Sequence, residues 1–254
     1  MTKLLIDLGN SCLKWAIKTS DGISSSHSLY YQNQNFQVLL EKAWKDVYPS
    51  KVVLASVAEE ALNLVIAEYA QKKWGLPLTV LNTQLETLGL QNHYATPLLL
   101  GVDRWAFAIA AWEQYHVPLC LVSCGTAITT DIINGDGQLL GGTISPGLGF
   151  MCQALSARAA KLKTVDQQFF EEGELYQPQL EAKDTFSAMQ NGALLMSIAF
   201  LDQTVQRLQS QYGSAMQFII RGGDAAFLLP HLAYPFESQP ELVIQGIDLL
   251  DEVL

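Results

Sequence analysis

The sequence predicts a mixed α/β protein made of two like domains, residues 1–117 and 118–254, with a ligand cleft between them. Three observations lead there. An apolar run that ends in a small polar turn occurs twice, as Leu4-Leu5-Ile6-Asp7-Leu8-Gly9-Asn10-Ser11 and as Leu121-Val122-Ser123-Cys124-Gly125-Thr126-Ala127, each followed by a second strand-like run. Strand-like runs open each half, and helix-like and strand-like segments alternate after them. Hydrophobic residues make up 49% of the 254 positions and charged residues 16%, which is the composition of a chain with ample core.

In the first half, strands are expected at 3–8, 13–19 and 24–31, the last more polar, with a turn at Asp21-Gly22. Phe36, Leu39, Leu40, Ala43 and Trp44 repeat at the i, i+3, i+4 spacing of a core-facing helix stripe. A β-branched strand follows at 51–55. Ser56 with Glu59 forms a capping-box signature for a helix that runs to Trp74 and stops at Gly75. A strand at 78–81 and an Ala- and aromatic-rich helix at 104–115 complete this half. In the second half, strands are expected at 119–123, 127–133 and 138–144, the last two joined at Gly135-Asp136-Gly137. Pro146-Gly147 opens a helix through about residue 160. Residues 161–182 read as irregular and partly acidic. Asp184 or Thr185 caps a long helix to about residue 211, with Ala188, Leu195, Ile198, Ala199, Leu201 and Leu208 expected in the core. A strand at 218–220, a turn at Gly222-Gly223 and a last element from Leu242 follow.

A net charge of −10 repels phosphates at long range, which argues against non-specific nucleic-acid or anionic-membrane binding. An anionic substrate must then be held by a few local donors. The longest uncharged apolar run, 105–112, is too short to span a bilayer, and Asp7 interrupts the stretch where a signal peptide stays apolar, so a cytoplasmic protein is expected. Cys12, Cys120, Cys124 and Cys152 form no C-x-x-C pair and read as reduced thiols, with Cys120 and Cys124 on one strand face. His27, His93, His116 and His231 have no metal-ligand spacing.

Chemistry is concentrated in a few motifs. In Asp7-x-Gly9-Asn10-Ser11 the glycine admits close backbone approach, Asn10 and Ser11 offer donors, Asp7 suits a hydrated Mg²⁺, and Lys14 on the next strand is in reach of a phosphate. An ordinary tight hairpin explains the same residues. Gly125-Thr126-x-x-Thr129-x-Asp131 is open to the same two readings. Gly101-Val102-Asp103-Arg104 puts an acid and a base side by side where an apolar helix begins, which suits carboxylate binding by Arg104 and proton abstraction from a hydroxyl by Asp103. The plainer reading is a helix cap with a surface charge. Gly141-Gly142-Thr143-Ile144-Ser145-Pro146-Gly147 is either a ligand turn or a crowded strand–helix corner. Gly222-Gly223-Asp224-Ala225 is equally ambiguous, although two glycines would let an adenine lie against the backbone.

Taken in order, these motifs resemble the type III pantothenate kinases of the actin/hexokinase/Hsp70-like ATPase superfamily. The likeness runs the whole chain: Asp7-x-Gly9-Asn10-Ser11, Gly101-x-Asp103-Arg104, Gly125-Thr126-Ala127-x-Thr129-x-Asp131, Gly141-Gly142-x-Ile144-x-Pro146-Gly147, Thr185 at the start of the long helix, and Gly222-Gly223. The resemblance implies duplicated ribonuclease-H-like (actin-like ATPase) domains with a mixed sheet in each. It implies ATP-dependent phosphorylation of the primary hydroxyl of pantothenate, the first step of coenzyme A synthesis, with Asp103 as the base. Tyr94, Gly101, Val102, Asp103, Arg104 and Thr185 would line the pantothenate pocket. Asp7, Leu8, Gly9, Asn10, Ser11, Cys12, Leu13, Lys14, Thr126, Gly222 and Gly223 would contact ATP, with Mg²⁺ near Asp7 through water. It implies a homodimer and a monovalent cation, K⁺ or NH₄⁺. Here the chain departs from the family. The cation's usual aspartate position is Ser123, a far poorer ligand. Ser11 and Arg221 stand where Thr is usual. The alternative from another class is a non-catalytic relative acting as a transcriptional accessory factor, and the paired loops and intact Asp103-Arg104 weigh against it. A sugar kinase of the same superfamily is the other rival, although such chains are typically longer.

Overall fold

The computed structural model describes residues 1–158 and 176–254. In chain order its elements are strands Lys3–Leu8 (β1), Cys12–Thr19 (β2), Gly22–Ile23 (β3) and His27–Tyr30 (β4), helix Phe36–Ala43 (α1), strand Lys51–Ser56 (β5), helix Glu60–Trp74 (α2), strands Leu78–Val80 (β6), Glu86–Thr87 (β7) and Leu90–Asn92 (β8), and helix Val102–Tyr115 (α3). Strands Leu119–Cys124 (β9), Ala127–Ile133 (β10) and Gln138–Pro146 (β11), helices Leu148–Arg158 (α4) and Thr185–Tyr212 (α5), strand Gln217–Arg221 (β12), the short helix Ala225–Leu228 (α6), strand Glu237–Ser238 (β13) and helix Leu242–Glu252 (α7) follow. The expected irregular segment falls largely outside the described residues, as does the end of the helix expected to reach residue 160. No helix among the described residues is long and apolar enough to cross a membrane.

Contacts divide the chain into two compact units, both interrupted in sequence. One comprises Met1–His116, Ile133–Gly141 and Glu241–Leu254, the other Val117–Ile132 and Gly142–Pro240. In the first unit, a sheet of order β3-β2-β1-β5-β6, with β4 on β2, pairs β1 antiparallel to β2 and parallel to β5. Its alternate side chains serve two layers. Leu4, Ile6, Leu8, Leu13, Trp15, Val52 and Leu54 meet Phe36, Leu40, Trp44, Ile66 and Ala70 of the α1–α2 side. Helices α3 and α7 touch β5, and α7 also touches β1 and β2. The short hairpin β7–β8 pairs with the start of β11.

Buried charge ties α7 to the sheet. Lys3 on β1 reaches Asp248 at 2.8 Å and Asp251 at 3.0 Å, Lys18 on β2 reaches Asp248 at 3.0 Å, and Lys51 on β5 contacts Asp251. Burial opposes the charge on Lys3, yet the two aspartates hold its pKa above the usual value. Breaking such a network on one side strands the other buried charges, which is why it specifies where α7 docks. Asp248 and Asp251 lie three apart on a largely apolar helix and so share a face, the one local signal of this network in the sequence.

In the second unit the strand order is β13-β12-β9-β10-β11. Cys120, Val122 and Cys124 of β9 and Phe218 and Ile220 of β12 pack against α4, α5 and α6. Three sequence expectations shift. The strand expected at 24–31 is shortened to β4, because the polar residues before it bond through their side chains: Ser24 Oγ accepts from Ile17 N–H, and Ser26 Oγ donates to Glu241. Ser56 and Glu59 make no capping box. Ser56 is still in the β1–β5 ladder and its hydroxyl accepts from Ala58 N–H, while Glu59 caps α2 without a side-chain bond. Along α5, Leu201 and Leu208 are in the core, but Ala188 and Ala199 are exposed and Met189, Ala193, Leu194 and Val205 are buried instead.

Candidate active site

The Asp103-Arg104 pair begins at a helix that the fold holds from every side. From Val102 to Trp112 nearly all of α3 is buried, Arg104 included at 8% exposure, while Asp103 is half-buried in the first turn. A carboxylate in the first turn of a helix is favoured by the positive end of the helix dipole. Asp103 Oδ1 lies folded over Gly101, where an added Cβ would meet it at 2.6 Å and would meet Val57 Cγ1 at 3.3 Å. Val57 N–H in turn donates to the Leu8 carbonyl at 3.0 Å. Val57 therefore links the first phosphate-loop candidate to the start of α3 within the same unit.

Arg104 places its guanidinium 5.7 Å from the centre of the Tyr94 ring, a cation–π arrangement that restrains both side chains. Tyr94 is fixed from its backbone, since its N–H donates to Asn92 Oδ1 at 3.1 Å and the buried Asn92 amide donates to Pro97 and Gln84 carbonyls. Gly141, at φ +113°, lies against the same ring. The stretch leading into α3 is pinned by Thr83, whose hydroxyl donates to the Leu100 carbonyl at 2.7 Å.

The Asp7–Lys14 segment is the turn between β1 and β2. Gly9 N–H donates to the Cys12 carbonyl at 3.0 Å, and Asp7 faces Lys14 across the ladder. Asp7 is buried, Asn10 exposed, and Ser11, Cys12 and Lys14 half-buried, whereas Leu8 and Leu13 point wholly into the core and offer only backbone. Two neighbours escaped the sequence reading. Tyr31 OH donates to the Gly9 carbonyl, and Gln32 donates to the Ser11 hydroxyl at 2.9 Å. Both come from the end of β4, and no sequence signal marks them.

In the second unit, three small-residue motifs converge. Gly147 N–H donates to the Thr126 carbonyl at 3.0 Å, Asp224 N–H donates to the Cys124 carbonyl at 3.2 Å, and Leu148 N–H, at the start of α4, donates to Asp224 Oδ2 at 3.3 Å. Thr126 and Gly223 are exposed here, and Gly222 is half-buried. Burial pushes the Asp224 carboxyl up to about 6, with the Leu148 N–H pulling the other way. Ser123 is half-buried on β9. Thr185 is exposed as the first residue of α5, whose cap is Asp184, accepting from Ser187 N–H at 2.8 Å. Among the described residues no group of three or more His, Cys, Asp or Glu side chains is arranged to hold a metal ion.

Known proteins resemble this chain over most of its length. The family model described as type III pantothenate kinase matches residues 3–207. A type III pantothenate kinase of Nitrosococcus oceani is 32% identical, over 96% of this chain and 91% of that one, and one of Laribacter hongkongensis is 33% identical over 96% of each. Among solved structures, a candidate transcriptional activator of the Baf family from Campylobacter jejuni has a TM-score of 0.55 at 19% identity over 98% of each chain. A ROK family glucokinase from Streptomyces griseus, in complex with glucose and AMPPNP, has a TM-score of 0.51 at 11% identity over 99% of this chain and 100% of that one. At such identities these structures speak to the fold alone, which is the α/β actin-like ATPase fold. With the family match spanning most of its length, the chain belongs to the type III pantothenate kinase family.

Proposed function

We propose that this protein transfers the γ-phosphoryl group of ATP to the primary hydroxyl of pantothenate. Its family membership carries that reading, supported by the Asp103-Arg104 pair at the head of a buried helix beside the Asp7–Lys14 turn. Arg104, restrained by Tyr94, anchors the carboxylate end of pantothenate, with Gly101, Val102 and Thr185 lining the pocket. Asp103 accepts the hydroxyl proton as that oxygen bonds to the γ-phosphorus and the bond to the β-phosphate oxygen breaks, releasing ADP. Phosphoryl transfer has a loose transition state, so positioning and charge neutralisation supply most of the acceleration. The Asp7–Lys14 turn, Thr126 and the Gly222-Gly223 turn hold ATP.

A single buried carboxylate, Asp7, suits a Mg²⁺ that arrives with the nucleotide, because Mg²⁺ is commonly held by one or two carboxylates plus substrate phosphates and water. When bound, the ion offsets phosphate charge. The same reading makes the enzyme a cytoplasmic homodimer.

A coupled ADP-release assay with and without pantothenate tests the assignment. Asp103→Asn is expected to lose ~10²–10⁴ in kcat. Arg104→Ala is expected to raise the pantothenate KM and leave ATP binding intact. Normal turnover in the first variant, or unchanged pantothenate affinity in the second, would remove that residue from its role. ADP release indifferent to pantothenate in the unaltered protein would end the proposal.

A further inference from the structure

The monovalent cation implied by the family resemblance does not fit this chain. Its ligand position is Ser123, a neutral hydroxyl on β9. In the parallel β9–β12 ladder Ser123 is in register with Arg221, as Leu121 is with Ile219. Side chains alternate along a strand, and Cys120, Val122, Cys124, Phe218 and Ile220 all line the α4–α5 core. Ser123 and Arg221 therefore share the opposite face. Arg221, a cationic side chain, is only 7% exposed. Its field is felt at the next loop residue, where it favours the Cys124 thiolate against burial and the Asp224 carboxylate. A guanidinium carried in register with that hydroxyl on the same sheet face disfavours a second cation there, where a carboxylate would attract one.

Arg221 is also rigidly joined to the loop. Gly222, at φ +104°, presses on the Cys124 carbonyl, and Asp224 N–H bonds to that same oxygen. Gly125 and Thr126 follow directly. We propose that Arg221 is the built-in counter-charge of the second phosphate loop, doing the electrostatic work of a bound monovalent cation, so that this chain needs neither K⁺ nor NH₄⁺. The inference rests on the kinase reading above. Arg221 is a positioning residue: it acts through the Ser123–Thr126 loop and supplies a charge that a dissolved cation would otherwise have to bring.

The test measures pantothenate-dependent ADP release by the full chain in choline, sodium, potassium and ammonium chloride at equal ionic strength. The melting-temperature shift produced by AMPPNP is recorded in each salt. Rates within about twofold of one another and equal shifts are expected. Arg221→Gln is expected to lose roughly ten- to a hundredfold in kcat in choline, and Arg221→Lys, which keeps the charge, to recover most of it. Stimulation of the unaltered protein by more than about tenfold in K⁺ or NH₄⁺ overturns the proposal. So does an Arg221→Gln variant that keeps its rate in choline. Should that variant not fold, the salt series on the unaltered protein decides. If no salt supports pantothenate-dependent ADP release, the kinase reading fails and the AMPPNP shifts decide this one: equal shifts uphold it, and a shift confined to K⁺ or NH₄⁺ overturns it.

Discussion

Gly246→Ala tests whether the stack beneath α3 sets the rate. Helix α7 passes α3 so closely that a Cβ on Gly246 would sit 1.9 Å from the Ala106 carbonyl oxygen and 2.9 Å from its Cα, backbone atoms that cannot rotate away. Real Cβ contacts essentially never fall under 3.0 Å, so the helices must part by about 1 Å. Overpacking of this kind costs ~1–3 kcal/mol, and the better helix propensity of alanine returns ~1 kcal/mol. The net loss is then roughly 0–2 kcal/mol, a fall of a few degrees in Tm for a chain of this size. The kinetic effect should be larger. Asp103 lies one turn before Ala106, and misplacing a reacting group by ~1 Å can cost ~10²-fold. A kcat/KM lowered by about 10- to 100-fold in a protein that still unfolds cooperatively in urea is the expected result. Gly192→Ala is the control. Among the described residues nothing lies within 4 Å of an added Cβ at that position in α5, so alanine should stabilise by up to ~1 kcal/mol and leave the rate alone. If Gly246→Ala behaved like the control, α3–α7 spacing could not be what holds Asp103 in place.

Two other outcomes follow from ionisation. Because burial raises the folded-state pKa of Asp224 from 3.8 to about 6, the folded chain binds more protons between those values, and the stability this contributes is full below pH 3.8 and lost as pH rises through 6. The loss reaches about 3 kcal/mol at neutrality, so Asp224→Asn, which keeps an acceptor for Leu148, should raise the urea unfolding free energy at pH 8 by ~1–3 kcal/mol and hardly at all at pH 4. Equal gains at both pH values would show that burial of the charge is not the cause. Burial also pushes the Cys120 and Cys124 thiols up to about 12 and Cys152 to about 11, leaving Cys12 as the half-exposed thiol. Native protein at pH 8 should therefore give about one thiol equivalent or less to Ellman's reagent, and all four only when unfolded. Rapid reaction of more than one in the native state would contradict the packing around β9.

Local, periodic signals were legible in the sequence and non-local ones were not. The α1 stripe through Phe36, Leu40 and Trp44 and the stop at Gly75, which is left-handed at φ +67°, are set by residues within a turn of each other. Helix α3 starts at Val102, two residues before the expected start, which puts the acid–base pair inside its first turn. Strands β7 and β8 are illegible locally because they are two and three residues long, and they exist through pairing, β8 with residues 138 and 139 and β7 with β8. The core face of α5 was misjudged for a different reason. Its sequence is apolar or small on every side over residues 193–201, so periodicity alone has no phase to read. Packing chose a face that also buries Asn191 and Ser197.

The glycine motifs show how a binding signal and a folding signal separate once atoms are in place. Each had two readings in the sequence, and what a Cβ would strike divides them. At Gly142, Gly147 and Gly222 it would land 1.6, 1.8 and 2.0 Å from the carbonyl oxygens of Thr130, Gly125 and Cys124. Those three are required for one backbone to pass another, with or without a ligand. Gly147 and Gly222 do this beside the same loop, so its shape is fixed by strands and turns that never need to touch a phosphate. Gly9 differs, since its Cβ would make only an ordinary 3.4 Å contact with the Cys12 carbonyl. Gly125 differs most: among the described residues nothing lies within 4 Å of its Cβ position, and its φ is not in the left-handed range. The packing of those residues gives no reason for glycine there. Glycine at the tip of each duplicated turn leaves the backbone N–H groups open to close approach, which is what the ATP binding proposed above requires of both turns.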